Sequence, residues 1–148
     1  VLSRTGVRAD CLRLELTESV FMEDVEYFAR TMANLKALGV QLAIDDFGTG
    51  YSSLSYLTRY PVDAVKVDRA FVEGLGTDPQ RTALVAAIVA MADAIGLEVT
   101  AEGVETSDQL GSLKRLNCGR AQGYYLARPM PADAMRRLVA ESRRWPVD

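Results

Sequence analysis

The sequence predicts an α/β fold of the (β/α) TIM-barrel type, incomplete here, with about five parallel strands alternating with helices and the early strands missing. Three observations predict it. Short runs of period two recur between helical stretches, the pattern of βα units whose crossovers make strands parallel. In each good strand one face is apolar, while the other carries charge or amide: Arg13 and Glu15; Gln41 and Asp45; Lys66 and Asp68; Glu98, Thr100 and Glu102. A doubly wound sheet is covered on both faces and reads apolar on both, whereas a barrel turns one face to its helices and the other to a polar interior. Finally, a complete barrel takes about 250 residues and eight strands, and this chain has 148 residues.

The elements follow in order. Residues 12–16 alternate strictly and form the first strand. A helix is expected over residues 25–38, with Phe28, Met32, Leu35 and Leu38 on one packing face and Gly39 ending it. Residues 40–45 alternate again, with Val40, Leu42 and Ile44 on the apolar side. A short helix over residues 53–59 stops at Pro61. Residues 64–68 and 97–102 are the third and fourth strands, separated by a long helix over 80–95 that Gly96 ends. A helix over 107–116 follows, then the weakest strand, 121–125, and a last helix over 132–143 after Pro131. No linker interrupts this rhythm, so residues 1–148 read as one unit.

Composition narrows the chemistry. Hydrophobic residues are 49% and charged residues 25%, as in ordinary globular proteins, and the net charge of −3 comes with no basic block to hold a long nucleic acid. There is no histidine, which removes Ser-His-Asp and Cys-His catalysis and His-ligated metal sites unless another chain supplies the imidazole. The two cysteines, Cys11 and Cys118, form no CxxC pattern; a zinc thiolate site is excluded, and a reducing cytoplasm fits at least as well as a secreted setting. The longest apolar run, residues 83–92, is interrupted by Asp93 and is too short to span a bilayer. No signal peptide is visible, and the opening Val1-Leu2-Ser3 lacks a methionine, as expected of a cut inside something longer.

The most informative stretch is Asp45-Asp46-Phe47-Gly48-Thr49-Gly50, two adjacent carboxylates at a strand's carboxyl end followed by two glycines. Alone it could be a solvated Asp-Gly turn. The strand ends elsewhere change that balance, because Glu15, Lys66 with Asp68, Glu102 and Gln122 fall on the same expected rim, where barrel enzymes keep their active sites. Carboxylates with one ammonium and one amide make a hard-oxygen site suited to Mg²⁺ or Mn²⁺ and poorly suited to zinc. Two such ions about 4 Å apart are the usual apparatus for phosphodiester hydrolysis by an activated water. Lys66 could neutralise phosphate charge or hold the attacking hydroxide.

These residues carry a resemblance. Glu15-Leu16-Thr17-Glu18-Ser19, the run from Asp45 to Ser53, Lys66-Val67-Asp68-Arg69, the run from Ala101 to Thr106, and Gln122-Gly123-Tyr124-Tyr125 followed by Arg128-Pro129-Met130 occur in the order and spacing of one family. The chain resembles the EAL family of bacterial cyclic di-GMP phosphodiesterases, over the carboxyl-terminal part of that domain only. The resemblance implies that Glu15 and Asp45 ligate a first metal, with Asp45 shared with a second that Asp46 and Glu102 complete; Glu102 is also a candidate general base. It implies that Lys66 orients the nucleophilic water and that Gln122 hydrogen-bonds water or phosphate. Glu18 would anchor the loop that carries Gly48 and Gly50, a loop tied to dimerisation, and Asp68 and Glu105 would support the rim.

The implied function is hydrolysis of cyclic di-GMP to linear pGpG with Mg²⁺ or Mn²⁺ by the parent domain. The implied setting is the bacterial cytoplasm, with tethering through other domains of the parent, as a homodimer or with the missing amino-terminal half of the barrel. The family's Glu-Ala-Leu glutamate and an Asn ligand lie outside this chain. The competing reading is a module that binds cyclic di-GMP or a protein without cleaving it, with the isolated chain inactive because the barrel is incomplete. Other residues read as structure: Arg13 and Glu98 as a buried polar pair, Trp145 as a packing anchor, Arg143 and Arg144 as a solvated helix end.

Overall fold

The computed structural model of this chain describes residues 2–17, 25–48, 57 and 59–147. Among these, five strands form one parallel sheet in the order β1-β2-β3-β4-β5: β1 Arg13–Thr17, β2 Gln41–Phe47, β3 Ala64–Val67, β4 Glu98–Ala101 and β5 Arg120–Ala121. The helices are α1 Leu2–Thr5, α2 Val25–Ala37, α3 Arg69–Val72, α4 Pro79–Ala94, α5 Ser107–Arg115 and α6 Ala132–Ala140, with a 3₁₀ turn at Ala9–Cys11. Strand order equals chain order, so each crossover returns beside the strand it left, as in a barrel wall.

The side-chain alternation sorts the two faces. Leu42 and Ile44 of β2, Val65 and Val67 of β3, and Val99 and Ala101 of β4 are buried in a core with Met32 of α2, Val85, Val89 and Ala92 of α4, and Leu113 of α5. Burying a side chain of this size contributes about 1.5–3 kcal/mol. This shared core, rather than helix propensity, holds the wall together. Asp78 caps α4 by accepting from the backbone N–H groups of Gln80 and Arg81, and Thr106 with Gln109 forms a reciprocal capping box on α5.

The opposite face is polar and curls inward. Arg13 of β1 donates to Gln41 Oε1 of the neighbouring strand at 3.0 and 2.6 Å, and its Nη2 reaches Glu98 Oε2 of β4 at 2.5 Å. Flat strands would hold β1 and β4 three spacings, about 14 Å, apart. Their side chains meet because the sheet bends toward this face. Arg13 and Glu98 pair on the inward face as expected, but the pair is not buried, its side chains being 21% and 42% exposed, and Arg120 is a second partner of Glu98 at 2.6 Å. Among the described residues β1 pairs only with β2 and β5 only with β4, so the wall is open at both edges.

Several expectations are corrected. The last strand ends at Ala121 rather than running to Tyr125. Gln122 still donates to the Ala101 carbonyl, but the N–H groups of Leu126 and Ala127 then turn back to the Gly123 carbonyl. Leu38 does not share the packing face of α2; it lies past the helix end, before Gly39 at φ 86, and is 62% exposed. Asp68 leaves the strand to cap α3, accepting from Ala70 N–H at 2.8 Å. The last helix stops at Ala140, with Ser142 at φ 48. The short helix expected over 53–59 lies largely outside the described residues. Trp145 is an anchor, its indole N–H donating to the Leu126 carbonyl at 2.9 Å.

Candidate functional site

The carboxyl ends of β1 to β4 converge on one point. Strand parity alone would send Asp45 and Asp46 to opposite faces of β2. The structure solves this with a bulge: Ile44 pairs with Val65 and Phe47 with Val67, three steps on β2 against two on β3. Asp46 takes up the extra residue at φ 53, the left-handed region that Asp tolerates better than most residues and that still costs a non-glycine on the order of 1–3 kcal/mol. Its N–H is held by the Asp45 carboxylate at 3.1 Å. Gly48 completes the turn at φ 98, where a Cβ would lie 2.9 Å from the ring of Phe71 on α3.

Lys66 sits at the centre. It lies on the middle strand, is 7% exposed, and points into a layer where its inner-face neighbours Ala43 and Ala64 are small and fully buried. Its ammonium donates to Glu15 Oε2 at 2.7 Å and lies 2.9 Å from Asp45 Oδ1 and 2.8 Å from Glu102 Oε1. Burial lowers its affinity for the proton, but hydrogen bonds to Glu102, Glu15 and Asp45 together outweigh that effect and hold the ammonium well above the ordinary lysine value. A lysine in a strand is often a solvated edge residue; this one is the hub of three strand ends.

Asp45, Asp46 and Glu102 each offer a carboxylate oxygen, all within 4.8 Å of one another. Three hard oxygen donors so close favour a cation among them, and Lys66 pairs with Asp45 and Glu102. The donor set therefore fits a divalent ion of the Mg²⁺ or Mn²⁺ kind. Glu15 stands beside this trio, joined to it through Lys66, with its side chain 47% exposed.

The remaining rim residues fall into place around this centre. Glu105 pairs with Arg69 at 3.2 Å, and Arg69 also pairs with Glu73 at 2.7 Å. The stem of Arg69 lies against Gly103, where a Cβ would meet it at 2.4 Å. Gln122 has an exposed side chain at the end of β5, while its carbonyl accepts from Val104 N–H at 3.0 Å. Glu18 and Gly50 lie outside the described residues. Two neighbours of the site received no role from the sequence: Arg69, which stood inside a quoted motif, and Phe71, whose contact with Gly48 has no local signature.

Comparison with known proteins places this geometry. The family model described as EAL domain matches residues 1–129. The chain is 43% identical over 142 residues, 96% of its length and 18% of the relative's, to cyclic di-GMP phosphodiesterase NbdA of Pseudomonas aeruginosa. It superposes on the crystal structure of the EAL domain of Mycobacterium smegmatis DcpA with a TM-score of 0.91 and 45% identity, covering 97% of this chain and 64% of that one. It also superposes on a manganese and cyclic di-GMP complex of Klebsiella pneumoniae BlrP1 with a TM-score of 0.78 and 36% identity, covering 83% of this chain and 31% of that one. The chain spans about a fifth of the length of the curated relatives it matches. On the sequence match, the five-stranded parallel wall and these likenesses, the chain belongs to the EAL domain family.

Proposed function

We propose that residues 1–148 are the carboxyl-terminal portion of a single EAL-type domain whose parent hydrolyses cyclic di-GMP to linear pGpG in bacterial second-messenger signalling. The observation that carries this reading is the convergence of Asp45, Asp46 and Glu102 within 4.8 Å, with Lys66 bridging Asp45 and Glu102 to Glu15. Following the family resemblance, two divalent ions, Mg²⁺ or Mn²⁺, would be held here: Glu15 and Asp45 would serve one, and Asp45, Asp46 and Glu102, the trio within 4.8 Å, the other. Ions of this kind would supply Lewis-acid polarisation of the phosphodiester and a water that loses its proton near neutral pH.

The side chains divide the remaining work. Lys66, held protonated by three carboxylates in the metal-free chain, would present positive charge toward the phosphate and a donor that orients the attacking water. Glu102 accepts the proton of that water; it lies 2.8 Å from Lys66 and is largely shielded from solvent, with its side chain 18% exposed. Gln122, exposed at the rim, donates to water or phosphate. Asp68 and Glu105 hold the rim indirectly, through the cap of α3 and through Arg69. The parent would act in the cytoplasm, tethered through its other domains, as a homodimer or with this chain completed by the amino-terminal half of the barrel. No described helix is long and apolar enough to cross a membrane.

The test uses the full-length parent. Lys66→Met and Glu102→Gln should each lower turnover of cyclic di-GMP by about 10²–10⁴-fold with binding largely kept, the range of a positioned acid–base group. Full activity in either variant removes the reading. The isolated chain, with its wall open at β1 and β5, should not turn over the dinucleotide; normal turnover by the chain alone contradicts the incomplete-barrel assignment.

A further inference from the structure

Asp46 is the donor whose placement strains the backbone. Asp45 lies in β2 and Glu102 directly follows β4, but Asp46 reaches the trio only because the bulge puts it at φ 53, with Gly48 following at φ 98. A turn of this kind persists where its surroundings hold it. One side is held by Phe47, 6% exposed in the core. The other side is held from α3. The ring of Phe71 rests on the bare Cα of Gly48 so closely that a Cβ there would lie 2.9 Å from Cε2 and 3.1 Å from Cζ. Phe71 is itself half-buried against the core, and α3 is fixed at its start by the Asp68 cap, two residues beyond Lys66. One short segment therefore carries both the ammonium at the centre and the ring that seats the turn.

We propose that Phe71 is a positioning residue for Asp46: its ring seats the Gly48 turn, and the seated turn keeps the Asp46 carboxylate beside Asp45 and Glu102. The proposal rests on reading these three carboxylates as metal ligands. It assigns Phe71 an effect that travels through the backbone of residues 46–48. Without the ring the turn relaxes from its left-handed conformation, and cation binding must restore it.

The test is Mn²⁺ affinity, by titration calorimetry on the purified full-length parent, for the wild type, Asp46→Asn, Phe71→Ala and the double variant. Phe71→Ala should weaken Mn²⁺ binding by about tenfold, the release of a strained turn converted to an equilibrium constant, and Asp46→Asn, which removes a carboxylate donor, by at least as much. The double variant should be no weaker than Asp46→Asn alone, because Phe71 acts only through that carboxylate. Far-UV circular dichroism checks the fold; if Phe71→Ala does not fold, Phe71→Leu, which keeps apolar bulk without the flat ring edge, takes its place and should weaken binding in the same direction. Wild-type affinity in the folded Phe71 variant overturns the proposal, as does a Phe71 loss that adds in full to that of Asp46→Asn. A wild type that binds no Mn²⁺, or an Asp46→Asn variant that binds as tightly as the wild type, counts instead against the metal reading itself and takes the proposal with it.

Discussion

Lys66→Met removes the one cation that three carboxylates share. Lys66 is 7% exposed, and its partners have side chains 47% exposed at Glu15, 24% at Asp45 and 18% at Glu102. Deleting one member of a buried ion pair costs about 3–5 kcal/mol, because the other charge stays behind unpaired. Here the rim is partly wet and Glu15 can turn to water, so the loss should be about 2–3 kcal/mol. That is a large fraction of the roughly 5–15 kcal/mol that holds a domain together. Urea unfolding of the metal-free chain, followed by circular dichroism, measures it. The pH arm has a definite sign. The folded state holds the Lys66 proton more tightly than the unfolded chain does, so the stabilisation is complete below the ordinary lysine value of 10.5 and is lost only as pH climbs through the higher folded value. The gap between wild type and Lys66→Met should thus stay constant from about pH 7 to 9. Added Mn²⁺ should stabilise the variant more than the wild type, since no ammonium then competes for Asp45 and Glu102. A variant within about 0.5 kcal/mol of wild type, the range of an ordinary surface substitution, would refute the claim that this lysine is the electrostatic hub.

Other perturbations separate structure from site. Arg13→Met strips Gln41 and Glu98 of their shared donor below the site; it should cost about 1–3 kcal/mol in urea unfolding while leaving Mn²⁺ affinity unchanged, and an equal loss of affinity would show that the two polar layers are coupled. Gly123→Ala should be worse despite its small size. The new Cβ would fall 2.1 Å from the Val104 carbonyl oxygen and 2.2 Å from its nitrogen, and backbone cannot yield as a side chain does. Overpacking of this kind costs about 1–3 kcal/mol or more, and thermal unfolding indistinguishable from wild type would contradict the geometry.

The barrel wall was legible because strand parity is rigid. Once Arg13, Glu15, Lys66, Glu98 and Glu102 share a parity distinct from their apolar neighbours, the inward face is settled before any contact is known. Strand order was not local information, and a lysine on the middle strand reads in sequence like one on an edge. The bulge was illegible for a sharper reason: parity argues against Asp45 and Asp46 working together, and only the mismatch of register with β3 brings them to one side. β5 ended early where the N–H groups of Leu126 and Ala127 turn back to the Gly123 carbonyl, a local turn that the alternation of side chains does not reveal. The interlock of Phe71 with Gly48 is a contact between distant segments. Leu38 followed the helical repeat one residue too far, beyond the helix end at Ala37 and just before Gly39 turns the chain.

The single surplus residue in β2 makes this centre sensitive to counting as well as to chemistry. Deleting either Asp45 or Asp46 would restore an even ladder with β3 and leave one carboxylate where two now converge. Only the surplus position lets two consecutive acidic residues reach one side, so a homologue one residue shorter here cannot gather such a pair. Alignment gaps there deserve to be weighed as heavily as a lost carboxylate.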